Sequence, residues 1–182
     1  MKKLMFLLLA LVFLNVHAQT EKGNLMVGGQ LNLNTNKDGS EFRFNPQLGY
    51  FFANNFAVGG ELTFDFSKAG NVRVNEFGVG PFARYYFGKG QTKPFLVSAV
   101  DYLSTSTKSN NIEVNSNGWS FLVGGGFAAF LNRTVALEGI IGYRYADYSN
   151  TSGSGGLNLS LGFQLYFGKD LPGDIKKTVT GN

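Results

Sequence analysis

The chain lacks cysteine and has almost no histidine. Its 182 residues include no Cys and a single His, His17. Without cysteine there is no disulfide framework, no Cys-based zinc site and no thiol nucleophile. His17 lies in a segment that we expect to be removed, so the mature chain also loses the residue that acid–base catalysis and metal ligation use most often. The composition therefore argues against an enzyme and indicates no metal or other cofactor.

Charge is also scarce. Charged residues make up 15% of the chain, against about 25% in an average soluble domain. The formal net charge is +4, and Lys2 and Lys3 supply half of it, so the balance is too small to imply a nucleic-acid partner. The chain is instead rich in glycine and phenylalanine, with 25 and 18 residues. The fold has to account for these two excesses.

The first 18 residues have the pattern of an export signal. Lys2 and Lys3 form a basic start, residues 4–14 are almost wholly apolar, and Val16-His17-Ala18 resembles a small-residue cleavage site. The apolar run is shorter than the roughly 20 residues that a membrane-spanning helix needs. A buried amino-terminal helix is the alternative. We predict a signal peptide at 1–18, followed by one domain at 19–167 and a short periplasmic tail at 168–182.

The rest of the chain alternates with a period of two, which is typical of β-strands. In 156–167, Leu and Phe occupy every second position, and Asn, Ser, Gly, Gln and Tyr lie between them. Segments 94–106 and 117–130 alternate too poorly for their faces to be assigned, and Pro46 and Pro81 predict a bulge or an edge where they fall. We predict eight strands, at residues 24–35, 41–52, 56–67, 72–87, 94–106, 117–130, 134–148 and 156–167.

The connections between these segments alternate in length. Those at 53–55, 88–93 and 131–133 are tight, whereas those near 36–41, 68–72, 107–116 and 149–155 are longer or more polar. An even number of strands with short turns on one side and polar loops on the other is typical of an outer-membrane barrel. The predicted fold is therefore all-β: an eight-stranded antiparallel up-and-down transmembrane β-barrel that follows a cleaved signal peptide.

A soluble lipocalin-like barrel is the main alternative fold, and strand length argues against it. The segments run about 12–16 residues, whereas soluble strands average about 5–6 and tilted membrane strands need about 9–11. Lysine placement points the same way, because a lysine facing the bilayer midplane costs about 2–4 kcal/mol. The lysines after residue 18 all fall in predicted turns, loops or termini: Lys22, Lys37, Lys68, Lys89, Lys93, Lys108, Lys169, Lys176 and Lys177.

Aromatic residues gather near the predicted strand ends, as two girdles at the membrane interfaces would require. The group toward the tight turns is Tyr50, Phe51, Phe52, Phe56, Tyr85, Tyr86, Phe87, Phe95, Phe130 and Phe167. The group toward the polar loops is Phe66, Tyr102, Trp119, Tyr145 and Tyr148. Together with the lysines and the strand lengths, they favour a membrane barrel.

Charged residues within the strands then need a place inside the barrel. They fall mostly on the small and polar face, with three arginines against four acids: Arg43, Glu61, Asp65, Glu76, Arg84, Glu138 and Arg144. An eight-stranded barrel is just wide enough for side chains to fill it. We predict a structural polar network in the lumen, and a gated ion path or small ligand site is the functional alternative.

The last strand carries the most specific family motif. Residues 160–167, SLGFQLYF, look like the β-signal that the outer-membrane assembly machinery reads, with Ser160, Gly162, Leu165 and Phe167 at its polar, glycine, hydrophobic and terminal aromatic positions. The runs 80–87 and 135–143 are also similar to family strands. Over residues 23–167 the chain resembles the small outer-membrane β-barrel family, which includes the barrel domain of OmpA-like proteins and the OmpX-like barrels, often called the porin family.

This resemblance implies a non-enzymatic, multi-pass protein of the outer membrane with both termini in the periplasm. Its implied partners are outer-membrane lipid and, during biogenesis, periplasmic chaperones and the barrel assembly machinery, and we expect a monomer. Family members of this kind serve envelope integrity, adhesion or surface interaction, so we expect the loops to do this protein's work. Passive transport of solutes or ions and a soluble binding barrel are the alternatives.

Overall fold

The computed structural model describes residues 20–35, 39–109, 112–149 and 151–168. The predicted signal peptide and all of the predicted tail except Gly168 lie outside these ranges, so the two domain boundaries stay predictions. Within the described ranges no helix is long and apolar enough to cross a membrane.

Eight strands form one closed sheet. Each strand pairs antiparallel with the next along the chain, and β1 pairs antiparallel with β8. The strands are β1 (Leu25–Thr35), β2 (Gly39–Ala53), β3 (Phe56–Ala69), β4 (Val72–Tyr86), β5 (Thr92–Ser109), β6 (Ile112–Phe130), β7 (Val135–Tyr148) and β8 (Thr151–Phe167). The predicted eight-stranded antiparallel barrel is confirmed.

The period of two places opposite kinds of side chain on the two faces of the barrel. In β8, Leu157 and Leu161 point outward with 71% and 73% of their surface exposed, whereas Gln164 points inward and is wholly buried. Leucine, phenylalanine and valine are exposed in the same way around the whole barrel. An apolar band of this extent is far larger than the patches that soluble monomers expose. It matches a surface that faces lipid.

Two predicted loops are largely strand. β5 continues to Ser109 and β6 begins at Ile112, so the predicted loop 107–116 is the end of a long hairpin. β8 likewise begins at Thr151, inside the predicted loop 149–155. Most residues of both segments are polar or glycine, with Ile112 and Val114 as apolar exceptions, so the apolar-outward alternation is lost there. The ladder of backbone hydrogen bonds holds them as strands without any apolar alternation.

The two prolines do not shift the strand register. The pairs recorded between β2 and β3 stop at Phe44–Phe64 and resume at Gln47–Glu61 with the same offset, on either side of Pro46. Pro81 interrupts the β4–β5 ladder in the same manner. The missing N–H therefore costs a ladder bond without inserting a residue, and the expected bulges at these positions were wrong. The register shifts lie elsewhere, between Phe51 and Ala53 and between Ala146 and Tyr148.

The seam that closes the barrel is short. β1 pairs with β2 along its whole length, but it pairs with β8 only from Leu25, opposite Phe167, to Leu31, opposite Leu161. Just beyond this point, the Asn32 side-chain amide donates a hydrogen bond to the Leu159 carbonyl oxygen at 2.6 Å. A side chain thus continues the contact where the backbone ladder between the first and last strands ends.

Candidate functional site

The seven charged residues predicted for the lumen all lie on the inward face of their strands. Glu61, Asp65, Glu76, Arg84 and Glu138 are buried, and the side chains of Arg43 and Arg144 are 16% and 12% exposed. The structure brings Arg43 together with Asp65 and Arg84 together with Glu138, whereas Arg144 pairs with an acid outside the predicted set. Their role in the protein stays a prediction.

Arg84 is the centre of the group nearest the tight turns. Its Nη1 atom lies 2.7 Å from Glu138 Oε2, and both side chains are fully buried. Its Nη2 atom donates to Gln47 Oε1 at 2.6 Å, and its guanidinium carbon lies 5.4 and 5.1 Å from the ring centroids of Phe82 and Phe95. The charge is thus compensated by a carboxylate, an amide and two aromatic faces, as a buried arginine requires.

Gln47 connects this group to the middle of the barrel. Its Oε1 also accepts a hydrogen bond from Gln164 Nε2 at 3.1 Å, and its Nε2 donates to Glu61 Oε2. The other Glu61 oxygen is buried and has no hydrogen-bond partner among the residues that the structure describes. Neither glutamine belongs to the predicted set, because that set was chosen by charge alone, although both sit on the inward positions that the alternation of β2 and β8 indicates.

Asp101 is a buried acid that was not among the residues predicted for the lumen. Arg144 Nη1 lies 3.4 Å from Asp101 Oδ2 and 3.0 Å from Ser120 Oγ, which itself donates to Asp101 Oδ2. Asp101 lies on β5, where Leu96 and Val100 face outward and Val97 and Ala99 face inward. Because both faces of β5 are apolar there, the alternation of the sequence does not show which way Asp101 points. Its position relative to its neighbours in the strand register shows that it points into the barrel.

The third group lies toward the polar loops. Arg43 donates to Asp65 Oδ2 through Nε at 2.8 Å and Nη2 at 2.5 Å, and Nη2 is 3.3 Å from Glu41. Glu76 accepts hydrogen bonds from Tyr148 OH at 2.7 Å and Thr105 Oγ1 at 2.9 Å. The Tyr148–Glu76 bond therefore joins β7 to β4 across the barrel, and the Arg43–Asp65 pair lies beside it because Asp65 is directly opposite Glu76.

Aromatic side chains close the end of the lumen near the tight turns. Phe51, Tyr86, Phe95, Phe130 and Tyr166 are buried, and their ring centroids lie 4.9 to 6.4 Å apart in successive contacts. We call these five residues the aromatic plug. Four of them were assigned to the interfacial girdle, and that prediction was wrong. A position near a strand end sets the height of a ring along the barrel. Whether the ring faces lipid or the lumen depends on which of the two alternating faces of the strand carries it.

The remaining girdle residues face outward as expected. Tyr50, Phe52, Phe56, Tyr85 and Phe87 are exposed near the tight turns, and Phe66, Tyr102, Trp119 and Tyr145 are exposed toward the loops. Tyr148 is again an exception, since it bonds Glu76 inside the barrel.

The expectation that every lysine avoids the strands was too strict. Lys93 lies in β5 and is buried below the aromatic plug, where its Nζ donates to Thr20 Oγ1 at 2.5 Å. Thr20 is itself 2% exposed, and its carbonyl oxygen accepts the Asn55 backbone N–H at 2.6 Å. Lys68 and Lys108 lie at the loop ends of β3 and β5. Residues 20–24, just before β1, thus pack across the turn end of the barrel.

The four residues of the predicted assembly signal lie along β8. Leu165 and Phe167 point outward near the turn end and pair with Val27 and Leu25 across the seam. Ser160 faces inward and accepts a hydrogen bond from Asn158 Nδ2 at 2.8 Å, and Gly162 lies between Gln30 on β1 and Glu138 on β7. The structure therefore places the motif on the strand that closes the barrel, and its recognition stays a prediction.

These features define a class of protein: a membrane-embedded barrel whose interior is packed with side chains. In the described ranges no group of His, Cys, Asp or Glu is arranged to hold a metal ion. A family model for the outer membrane protein beta-barrel domain matches residues 4–168. The chain belongs to this family, and it is an outer-membrane protein. That location excludes the soluble lipocalin-like alternative.

Solved structures share the fold at low sequence identity. The crystal structure of Neisserial surface protein A is 18% identical, with a TM-score of 0.60 over 78% of this chain and 95% of that one. The amino-terminal barrel domain of Pseudomonas aeruginosa OprF is 10% identical, with a TM-score of 0.58 over 80% and 98%. P. aeruginosa OprG is 14% identical, with a TM-score of 0.53 over 84% and 99%. A search of curated proteins gave no match. These likenesses show that the barrel fold is shared, and they do not show the role of this protein.

Proposed function

We propose that this protein is a non-enzymatic, non-conducting barrel that reinforces the outer membrane and presents its loop end to the cell exterior. The aromatic plug carries the first part of the proposal. It fills the turn end of the lumen with rings that are at most 6% exposed, and the fully buried Arg84–Glu138 pair lies directly behind it. A barrel of eight strands leaves no space beside such a filling for hydrated ions.

Conductance across planar lipid bilayers tests the closed lumen. The purified, refolded protein should give no steps above the leak of the bare membrane. Phe51→Ala/Tyr166→Ala, which removes two rings from the plug, is the positive control that shows conducting barrels are detectable. Regular steps from the unaltered protein, at all voltages that the membrane tolerates, would favour the alternative of a small-solute or ion porin.

The proposed orientation places both termini in the periplasm. It is supported by topology, because β1 begins opposite the end of β8 and the tight turns lie at that same end. Since the chain has no cysteine, a single introduced thiol is a unique label. Asn71→Cys, in the β3–β4 turn, should react with a membrane-impermeant maleimide on intact cells. Lys89→Cys, in an opposite turn, should react only after permeabilisation, and the reverse result would invert the barrel.

The β5–β6 hairpin supports the surface role. Its strands, Thr92–Ser109 and Ile112–Phe130, are the longest of the barrel and extend beyond the apolar band as polar β-structure. Replacing residues 107–114 with Asn-Gly leaves the Ser106–Asn115 pair as the hairpin end. This variant should restore detergent resistance to cells that lack the protein while losing any surface interaction. If it fails to restore resistance although it assembles, the hairpin itself contributes to envelope integrity.

Biogenesis is part of the proposal. We assign to Ser160, Gly162, Leu165 and Phe167 the role of a signal for the barrel assembly machinery, with periplasmic chaperones as earlier partners and a monomer as the final state. The outward, seam-lining position of Leu165 and Phe167 supports this role, since a strand that has not yet paired with β1 presents both side chains.

A further inference from the structure

Three basic side chains stand next to one another at the loop end of the barrel. Lys68 on β3 is directly opposite Arg73 on β4, and Arg73 is directly opposite Lys108 on β5. All three are exposed on the outward face. We call them the basic row. Like charges directly opposite each other destabilise a sheet, so the folding of the barrel gives no reason for three in succession.

Among the residues that the structure describes, an acidic side chain compensates the row at one end. Lys108 Nζ lies 3.2 Å from Glu113 Oε2, its cross-strand partner on β6. Within the part of the chain that the structure describes, neither Lys68 nor Arg73 belongs to an ion pair. A cleft of about 490 Å³ lies along the row and is lined by all three cations and by Gly70, Ile112 and Glu113. Two cations without an ion-pair partner among the described residues therefore face one open cleft.

The height of the basic row along the barrel shows where it lies relative to the membrane surface. Two residues below it on the same outward face lies Phe66, and below that the Phe64–Phe77 pair, whose ring centroids are 5.5 Å apart. Each residue of a strand advances about 3.3 Å, so the basic row stands about 7 Å along the strands from Phe66. Aromatic girdles mark the level of the lipid headgroups. The basic row thus borders the headgroup layer and points toward the lipid.

We propose that the basic row binds the phosphate groups of a phosphorylated lipid in the outer leaflet of the outer membrane. Arg73 at the centre presents a planar fork that suits phosphate, and the lysines on either side add point charges. The acyl chains of the same lipid lie along Phe64, Phe66 and Phe77. The apolar surface beside the cations would not contribute to binding a soluble polyanion, whereas it would bind acyl chains. The arrangement therefore favours a lipid. The assignment of the leaflet rests on the orientation proposed above.

Lipid A in nanodiscs provides the test. The full chain is reconstituted into phosphatidylcholine nanodiscs with lipid A or with lipid A stripped of its phosphates, at equal mole fraction, and bound lipid is counted by native mass spectrometry. The protein should retain phosphorylated lipid A selectively. Lys68→Gln/Arg73→Gln/Lys108→Gln should weaken that retention by about 100-fold, since each cation near an anionic surface contributes about 1 kcal/mol.

A matched variant controls for net charge. Lys22→Gln/Lys89→Gln/Arg133→Gln removes three exposed cations at the opposite end of the barrel and should retain lipid A as the unaltered protein does. Heat-modifiable gel mobility confirms that each variant is folded. If the triple variant does not fold, Arg73→Gln alone should weaken retention by about fivefold.

Four results would overturn the proposal: undiminished retention in the basic-row variant, an equal loss in the control variant, equal retention of the dephosphorylated lipid, or full displacement of lipid A by inorganic phosphate. Because a nanodisc carries lipid A in both leaflets, binding there does not depend on orientation. Failure of the orientation is detected separately by the Asn71→Cys labelling.

Discussion

The Arg84 guanidinium reaches across the barrel from β4 to the Glu138 carboxylate on β7, at 2.7 Å, and neither side chain has any exposed surface. Glu138 Oε1 also accepts a hydrogen bond from Tyr166 OH at 2.9 Å, which ties the ion pair to the aromatic plug. Strands that are not neighbours in the sheet are thus joined through the lumen.

Removing one partner of the Arg84–Glu138 pair should lower the free energy of unfolding more than removing both partners. Arg84→Met leaves the Glu138 charge buried without a cation and should lower the free energy of unfolding by about 3–5 kcal/mol. Arg84→Met/Glu138→Leu removes both charges and should recover a large part of that loss. Urea titration of the refolded protein in lipid vesicles measures both. Equal losses in the single and double variants would show that packing, rather than charge compensation, makes Arg84 important.

Gly80 should tolerate no side chain. A Cβ atom there would lie 1.8 Å from the Val100 carbonyl oxygen and 2.7 Å from Asp101 Oδ1, so backbone would have to move. Gly80→Ala should destabilise the barrel by about 1–3 kcal/mol, the usual cost of overpacking. Gly139→Ala is the matched control, because nothing lies within 4 Å of its added Cβ, and it should be neutral or slightly stabilising. The same urea titration compares them, and equal losses would contradict the crowding at Gly80.

The carboxyl of Glu113 should titrate below its usual range. Hydrogen bonds from Ser106 and then Lys108 lower its pKa from 4.5. Because the pKa is lowered in the folded protein, the associated stabilisation is present above pH 4.5 and is lost as pH falls through the folded-state pKa. NMR titration of the Glu113 side chain should show the low value, and Ser106→Ala should move it toward 4.5. Ser104→Ala, two residues away on the same face, should leave it unchanged.

Phe167→Ala should impair assembly in cells. The terminal aromatic of β8 is the position that the proposed signal requires, so the variant should accumulate unfolded in the periplasm. Phe163→Ala removes another outward aromatic from the same strand and should assemble normally. Refolding both purified variants in detergent separates recognition from stability: if Phe167→Ala also fails to refold there, its defect lies in the barrel itself and the signal is in doubt.

The sequence predicted the fold well wherever lipid and lumen impose different chemistry on the two faces. In β8 and β1, leucines alternate with polar residues, and the strand positions follow to within a few residues. Near the turn end, the inward face of β5 is as apolar as its outward face. The sequence therefore does not distinguish Val97, which faces inward, from Leu96, which faces outward. Beyond the apolar band the residues are mostly polar, and the end of the β5–β6 hairpin, at 107–116, was predicted as a loop.

The residues that belong to the candidate site could be predicted from the sequence better than the contacts among them. A charge on a lipid-facing position is costly, so strand charges such as Arg84 and Glu138 are readily assigned to the interior. Which of them pair depends on the tilt of strands far apart in sequence, and one-dimensional spacing does not contain that information. The neutral partners Gln47 and Ser120 were missed because they carry no charge, although hydrogen bonds from such groups satisfy much of the interior.

The short seam between β1 and β8 has a consequence for the order of events during biogenesis. Until β8 has been added, the sheet has two unpaired strand edges, which are sites of misassociation. The contacts that remove both edges join residues at the extreme ends of the barrel sequence, so closure is a late and slow step. A chain truncated anywhere before its last strand thus remains open along its whole length, with two exposed edges that distinguish it from the finished barrel.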